Sequence, residues 1–197
     1  LYKVVRAIVK RFYHTRFKVT VIGEERIPDS GPVLICSNHM SEFDPPLVAI
    51  STKREMSFFA KSELFKIPLL GNLIGRLNAI PVDRGKGDRQ ALKKSVEALK
   101  DDNMLLIFPE GSGTKDGKLQ DLQQGASFMA VKGGAKIVPA AIKGSYNRQK
   151  GITLVFGRPI DVNGLVEEGK NRKDITVKLK EEINIQISTC LKFRLCL

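Results

Sequence analysis

Seven short apolar runs, most of them with no polar alternation, recur along the chain between segments of helical periodicity. They are FKVTVI (17–22), PVLIC (32–36), MSFFA (56–60), NAIPV (78–82), MLLIF (104–108), KIVPAAI (136–142) and ITLVFG (152–157). A half-exposed strand alternates apolar and polar residues, whereas a strand covered on both faces reads as a continuous apolar run. Among the intervening segments, residues 88–100 have Asp88 as N-cap and place Ala91, Leu92, Ser95, Val96 and Leu99 on one face. Residues 119–132 form a second helix stopped by Gly133 and Gly134, and Asp174 opens a third with Ile175, Leu179, Ile183 and Ile187 at four-residue spacing. Strands interleaved with helices predict an α/β fold: a single domain with a mixed, largely parallel central sheet of about seven strands, flanked by helices. The 197 residues are enough for one core and contain no repeat or linker that would divide it.

The domain is preceded by a helix of different character. Residues 1–16, LYKVVRAIVKRFYHTR, hold five basic residues and no acidic one. At 100° per residue, Leu1, Val4, Val5, Ile8 and Phe12 share a face opposite Lys3, Arg6 and Lys10. Two readings fit: a terminal helix packed on the domain with a solvated back, or a helix in a membrane interface with its cations on lipid phosphates. The chain thus divides into 1–16, a basic amphipathic helix expected to associate with membrane, and 17–197, the α/β domain. No apolar run reaches the length of a transmembrane helix, and no secretory leader pattern is visible.

Lysine and arginine outnumber aspartate and glutamate by 33 to 21, a net charge of +12. Such an excess favours a polyanionic partner: nucleic acid, an anionic membrane surface or a phosphorylated substrate. Cys36, Cys190 and Cys196 form no Cys-x-x-Cys pair and no metal spacing with His14 or His39. They read as reduced thiols facing a cytosol, with Cys36 in the core, and no metal or redox cofactor is called for.

Three loops carry chemistry-bearing residues directly after apolar runs. In NHMSEFD (38–44), His39 and Asp44 lie five positions apart, and Asp44 is followed by Pro45 and Pro46. Aspartate before proline is a helix N-cap pattern, and His39 has a structural role open to it as a hydrogen-bonded loop residue. Alternatively Asp44 accepts the imidazole Nδ1–H and leaves Nε2 as a base. No G-x-S-x-G elbow supplies an enzyme nucleophile, so the client of such a base is a substrate hydroxyl. The second loop, in 105–118, has Pro109, Glu110 and three glycines, of the kind that lets backbone N–H groups approach an anion. The third, in 80–89, brings Arg84, Lys86 and Arg89, and arginine suits phosphate because its donors match two oxygens at once. The stretch 63–81 is unusually apolar and broken by Pro68, Gly71 and Gly75; it is either core or the border of a groove.

Taken in order, these segments resemble the bacterial-type 1-acylglycerol-3-phosphate acyltransferases. Asn38-His39 through Asp44 matches the family's N-H-x-x-x-x-D. Ile80-Pro-Val-Asp83-Arg84 matches its second motif, Phe108-Pro109-Glu110-Gly111 its third, and Val138-Pro139-Ala-Ala-Ile142 its fourth. The resemblance spans about residues 17 to 160. It implies the glycerolipid acyltransferase fold. It also implies that His39 deprotonates a glycerol hydroxyl, which attacks the thioester of acyl-CoA or an acyl carrier protein, with Asp44 orienting His39. It implies an acceptor site of Arg84, Glu110, Gly111 and Ser112, with Arg84 on the phosphate and Lys61 near the acceptor or the developing oxyanion. The stretch 63–81 would border the acyl channel. The partners implied are a lysophospholipid acceptor, the acyl donor as a substrate rather than a cofactor, and an anionic membrane surface. The protein would sit peripherally on the cytoplasmic face of the cell membrane.

The third motif departs from the family after Gly111. Ser112-Gly113 stands where Thr-Arg is usual, and glycine supplies no charge. A lost charged hydrogen bond costs roughly 1.5–3 kcal/mol of binding. Lys61, Arg84 or Lys115 would have to compensate, or the acceptor is glycerol-3-phosphate or another lysolipid. Two non-catalytic readings remain: a peripheral membrane protein on the same scaffold, and a nucleic-acid-binding module. The latter rests on charge alone, with no recognised motif and 7% aromatic residues.

Overall fold

The computed structural model describes residues 1–83, 88–111 and 119–195. In chain order the elements are α1 (Tyr2–Arg16), β1 (Val19–Ile22), β2 (Val33–Ser37), α2 (Asp44–Ile50), β3 (Met56–Lys61), α3 (Leu70–Gly75) and β4 (Ala79–Val82). They continue with α4 (Arg89–Lys100), β5 (Met104–Ile107), α5 (Gly125–Gly133), β6 (Lys136–Gly144), β7 (Ile152–Phe156), α6 (Val162–Glu167) and α7 (Arg172–Leu195). The strands form one seven-stranded sheet in the order β1-β7-β6-β2-β5-β3-β4. β6 and β7 pair antiparallel, and the other neighbours pair parallel. This is the mixed, largely parallel sheet expected, with each apolar run on a strand.

The continuous runs follow from burial on both faces. In β2, Val33 and Ile35 pack with Leu47 and Val48 of α2 and with Tyr13 of α1, while Leu34 and Cys36 pack with Leu99 of α4, Met129 of α5 and Leu179 of α7. Successive strand residues point to opposite faces, so a two-sided cover removes every polar position. Burying each such Val, Leu or Ile stabilises by about 1.5–3 kcal/mol.

Helix α1 packs on the domain through residues other than Leu1, Val4, Ile8 and Phe12. Tyr2 and Tyr13 are buried and Val9 packs against the core, a stripe that also contains Arg6. The Arg6 guanidinium donates to the carbonyls of Thr52 (3.1 Å) and Lys53 (2.9 Å), just beyond the C-terminus of α2. A cation is favoured there by the helix dipole and the unpaired carbonyls. Leu1, Val4, Ile8 and Phe12 are left exposed, Ile8 at 65%. Among the described residues no helix is long and apolar enough to cross a membrane.

Two helix starts differ from expectation. Residues 119–124 are not helical: the N–H of Gln120 bonds the Glu110 carboxylate (3.0 Å) and that of Gln123 the Pro109 carbonyl (2.9 Å), and α5 begins only at Gly125. Its end is as expected, with Gly134 left-handed at the cap. α7 begins at Arg172. Asn171 Oδ1 accepts from the N–H of Lys173 (2.8 Å), while Asp174 Oδ2 accepts from the N–H of Asn171 (2.9 Å), a reciprocal capping box with Asp174 inside the helix.

Candidate active site

Because β2, β3, β4, β5 and β6 run parallel, their C-terminal ends meet at one edge of the sheet. Asn38, Lys61, Asp83, Phe108 and Ser145 follow or close those strands, so the sheet brings together segments more than 100 residues apart. β2 has β5 on one side and β6 on the other, which makes its end a switch point of the kind where open α/β sheets bind ligands.

Asn38 sets the start of the loop. Its Nδ2 donates to the Ile142 carbonyl (2.9 Å) and its Oδ1 accepts the Ile142 N–H (2.8 Å). His39 then turns into the site with its side chain 12% exposed. Its Nδ1 lies 3.0 Å from Asp44 Oδ2, and its ring stacks on Phe108 with centroids 4.2 Å apart. An ionised carboxylate only accepts, so Nδ1 carries the proton and Nε2 is the basic nitrogen.

Asp44 is fully buried, and its carboxylate does not cap α2 as the Asp-Pro-Pro pattern suggested. Oδ2 instead accepts from the N–H groups of Met40 (2.6 Å) and Ser41 (2.8 Å) as well as from His39, while the Tyr146 hydroxyl donates to Oδ1 (2.5 Å). Proline at the first helical positions, having no N–H to satisfy, frees the aspartate to turn backwards.

Glu110 ties the second loop to the first. It is 5% exposed, and its Oε1 accepts the His39 N–H (3.1 Å) while Oε2 accepts that of Gln120. Gly111 follows with φ 75°, a left-handed conformation, and a Cβ there would come within 2.5 Å of Gln123 Nε2. Lys61 is exposed at the end of β3 and reaches the cavity wall. Arg84, Ser112, Gly113, Lys86 and Lys115 lie outside the described residues. Asp88 caps α4 through the Ala91 N–H (2.9 Å) and also accepts the Asp83 N–H (3.1 Å).

A cavity of about 640 Å³ opens beside His39, a size suited to a small-molecule or lipid-chain site. Phe58, Phe59, Leu106 and Met129 give it apolar walls, and His39 and Lys61 contribute polar ones. None of the residues from 63 to 81 is part of its wall. That stretch instead packs against the β3–β4 edge of the sheet and leaves Ile67, Leu69 and Leu73 exposed. Asn38, Phe108 and Tyr146 hold or touch the His39–Asp44 loop; the first two stand in the matched motifs without a role of their own, and sequence reasoning did not single out Tyr146. An asparagine directly after a fully apolar strand was a usable sign for the first. Nothing local marks Tyr146, which lies 102 residues from Asp44.

Residues 18–143 match the model of a family described as Acyltransferase. A 1-acyl-sn-glycerol-3-phosphate acyltransferase of Bacillus subtilis is 30% identical over 167 residues, covering 81% of this chain and 82% of that protein. A chloroplastic protein of the same name from Arabidopsis thaliana is 31% identical over 132 residues, 66% of this chain. The chain spans only about 37% of the length of that plant relative. The crystal structure of the 1-acyl-sn-glycerophosphate acyltransferase PlsC of Thermotoga maritima superposes with a TM-score of 0.76 at 29% identity, covering 93% of this chain and 78% of that one. With the sheet, the edge site and the matched span in agreement, the chain belongs to the acyltransferase family.

Proposed function

We propose that the protein transfers a fatty acyl group from an acyl thioester, acyl-CoA or acyl carrier protein, to the sn-2 hydroxyl of 1-acylglycerol-3-phosphate, giving phosphatidic acid. The observation that carries this reading is that His39, on the wall of a largely apolar cavity, lies 3.0 Å from the buried Asp44 carboxylate. With Nδ1 engaged by the carboxylate, Nε2 takes the proton of the acceptor hydroxyl as its oxygen attacks the thioester carbonyl. The tetrahedral intermediate then expels the thiolate, the C–S bond breaks, and the imidazolium returns the proton to sulfur. No acyl-enzyme forms and no resident cofactor takes part. Asp44 orients the ring and stabilises its cation.

Lys61, Arg84, Gly111 and Ser112 form the acceptor end of the site, with Arg84 on the phosphate. Glu110 holds the two loops together at that end. The protein works peripherally on the cytoplasmic face of the cell membrane. The exposed Leu1, Val4, Ile8 and Phe12 of α1 enter the headgroup boundary, and the +12 charge favours anionic lipid.

Acyl transfer to lysophosphatidate from oleoyl-CoA and from an acyl carrier protein, in detergent, tests the reading. Product with the wild type and none with His39→Ala is the expected result; full turnover by His39→Ala sinks the general-base role. Gly113 favours a second reading, the same chemistry on glycerol-3-phosphate or another lysolipid. Strict preference for lysophosphatidate across an acceptor panel dismisses it.

A further inference from the structure

The Asp44 carboxylate is fully buried, and a buried anion needs a donor on each oxygen. Oδ2 faces three N–H groups, those of His39, Met40 and Ser41. Oδ1 faces the phenol of Tyr146, which comes from the turn after β6. Left without that donor, the carboxylate would rotate to share the Oδ2 donors between both oxygens and would release His39. We infer that Tyr146 is a positioning residue of the reaction: its hydroxyl pins Asp44 Oδ1 so that Oδ2 stays aligned on His39 Nδ1.

The surroundings of Tyr146 suit that task. Its ring lies 5.4 Å from Phe17 and 5.3 Å from Phe43, and edge-on to Tyr13 at 6.4 Å, so the phenol has little freedom to swing. Tyr13 is the other phenol beside Asp44, but its hydroxyl donates to the Phe43 carbonyl (2.8 Å). Burial first, and then the Asp44 charge, hold the Tyr146 phenol protonated far above its ordinary range, so it remains a donor wherever the enzyme works. Glu110 faces the pair from the β5 side with both oxygens on backbone N–H groups.

The inference rests on the acyl-transfer reading for its kinetic consequence, and it has a readout that does not. The chain has two histidines, His14 and His39, so the Nδ1–H proton of His39 is assignable by nuclear magnetic resonance with His14→Gln as the control. A carboxylate-bonded Nδ1–H resonates far downfield and exchanges slowly. Tyr146→Phe keeps the ring contacts and removes only the hydroxyl. It should lower kcat by roughly tenfold, in line with loss of a hydrogen bond to a charged group, with both substrate KM values unchanged. It should also move or broaden the His39 Nδ1–H signal. Tyr13→Phe, which removes the neighbouring hydroxyl of the same aromatic cluster and its bond to the Phe43 carbonyl but no bond to Asp44, should leave that signal in place.

An unchanged signal in Tyr146→Phe overturns the inference, whether or not kcat falls. So does an equal change in Tyr13→Phe, which would trace the effect to packing. If the wild type transfers no acyl group to any acceptor, the proposed reaction fails, and the signal in Tyr146→Phe still decides whether the phenol positions the pair.

Discussion

Asn38 and Ile142 exchange two hydrogen bonds, amide to carbonyl at 2.9 Å and N–H to amide oxygen at 2.8 Å, so that a side chain continues the β2–β6 ladder one step past the end of β2. Both residues are buried, so neither backbone group of Ile142 has water to fall back on. Asn38→Ala should therefore lower stability in urea by about 2–4 kcal/mol, one buried donor and one acceptor being orphaned. An ionised Asn38→Asp side chain keeps the acceptor but sets a carboxylate against the Ile142 carbonyl, so this variant should come near wild type only where the carboxyl is protonated and its O–H can donate. An Asn38→Ala protein as stable as wild type would mean that the loop re-pairs.

Glu110 and Arg84 should separate kinetically. Glu110 accepts the N–H groups of His39 and Gln120, and thereby ties the His39 loop to the third motif. Glu110→Ala should reduce kcat by about tenfold or more, since two buried N–H groups lose their acceptor. Arg84→Ala should raise the acceptor KM and leave the donor KM alone. Steady-state kinetics with both substrates varied would check the split, and an unchanged acceptor KM would remove Arg84 from the phosphate.

Gly111 has φ 75° and a Gln123 side chain where a Cβ would stand. Gly111→Ala should cost about 1–2 kcal/mol in thermal or urea unfolding, because an L side chain disfavours that backbone even after Gln123 moves away. Gly31 has a similar φ with open space around it, and Gly31→Ala measures the backbone contribution alone.

Helix α1 buries Tyr2 and Tyr13 on one side and exposes Leu1, Val4, Ile8 and Phe12 on another. Replacing Leu1, Val4 and Ile8 with serine should sharply reduce sedimentation with anionic vesicles while changing stability little, since all three are well exposed. Arg6→Ala should do the opposite, loosening the contact to Thr52 and Lys53. Equal vesicle binding by the triple variant would move the membrane contact elsewhere, with Ile67 and Leu69 the next residues to change.

Stability should fall at alkaline pH. Burial raises Tyr13, Tyr146 and Cys36 above their ordinary values of 10.0 for tyrosine and 9.0 for cysteine. The folded state thus keeps protons that the unfolded chain releases. Unfolding then becomes easier as pH rises through about 9 and onward. Denaturation midpoints from pH 7 to 10.5 should decline, and phenylalanine at both 13 and 146 should flatten the decline.

Much of the scaffold was legible in the sequence because its rules are local. A strand covered on both faces reads as a continuous apolar run, as in VLIC (33–36), and a helix such as 89–100 must keep one face apolar behind its Asp88 cap. The two helix starts that differed did so where a backbone N–H or a cap was claimed by something distant or two-sided. Gln120 bonds Glu110 rather than its own helix, and Asn171 shares its cap with Asp174.

The sequence by itself determined the α/β class, the seven strands, and the placing of a histidine and an aspartate together in one loop at a strand end, because periodicity and motif spacing are written in consecutive residues. Only the tertiary structure decided which face of α1 is buried, that Asp44 turns back to the loop instead of capping α2, and that Tyr146 completes its carboxylate. Those outcomes depend on which strand ends the parallel order β6-β2-β5-β3-β4 gathers at one edge. A hydrogen bond across 102 residues leaves no periodicity for a sequence to carry.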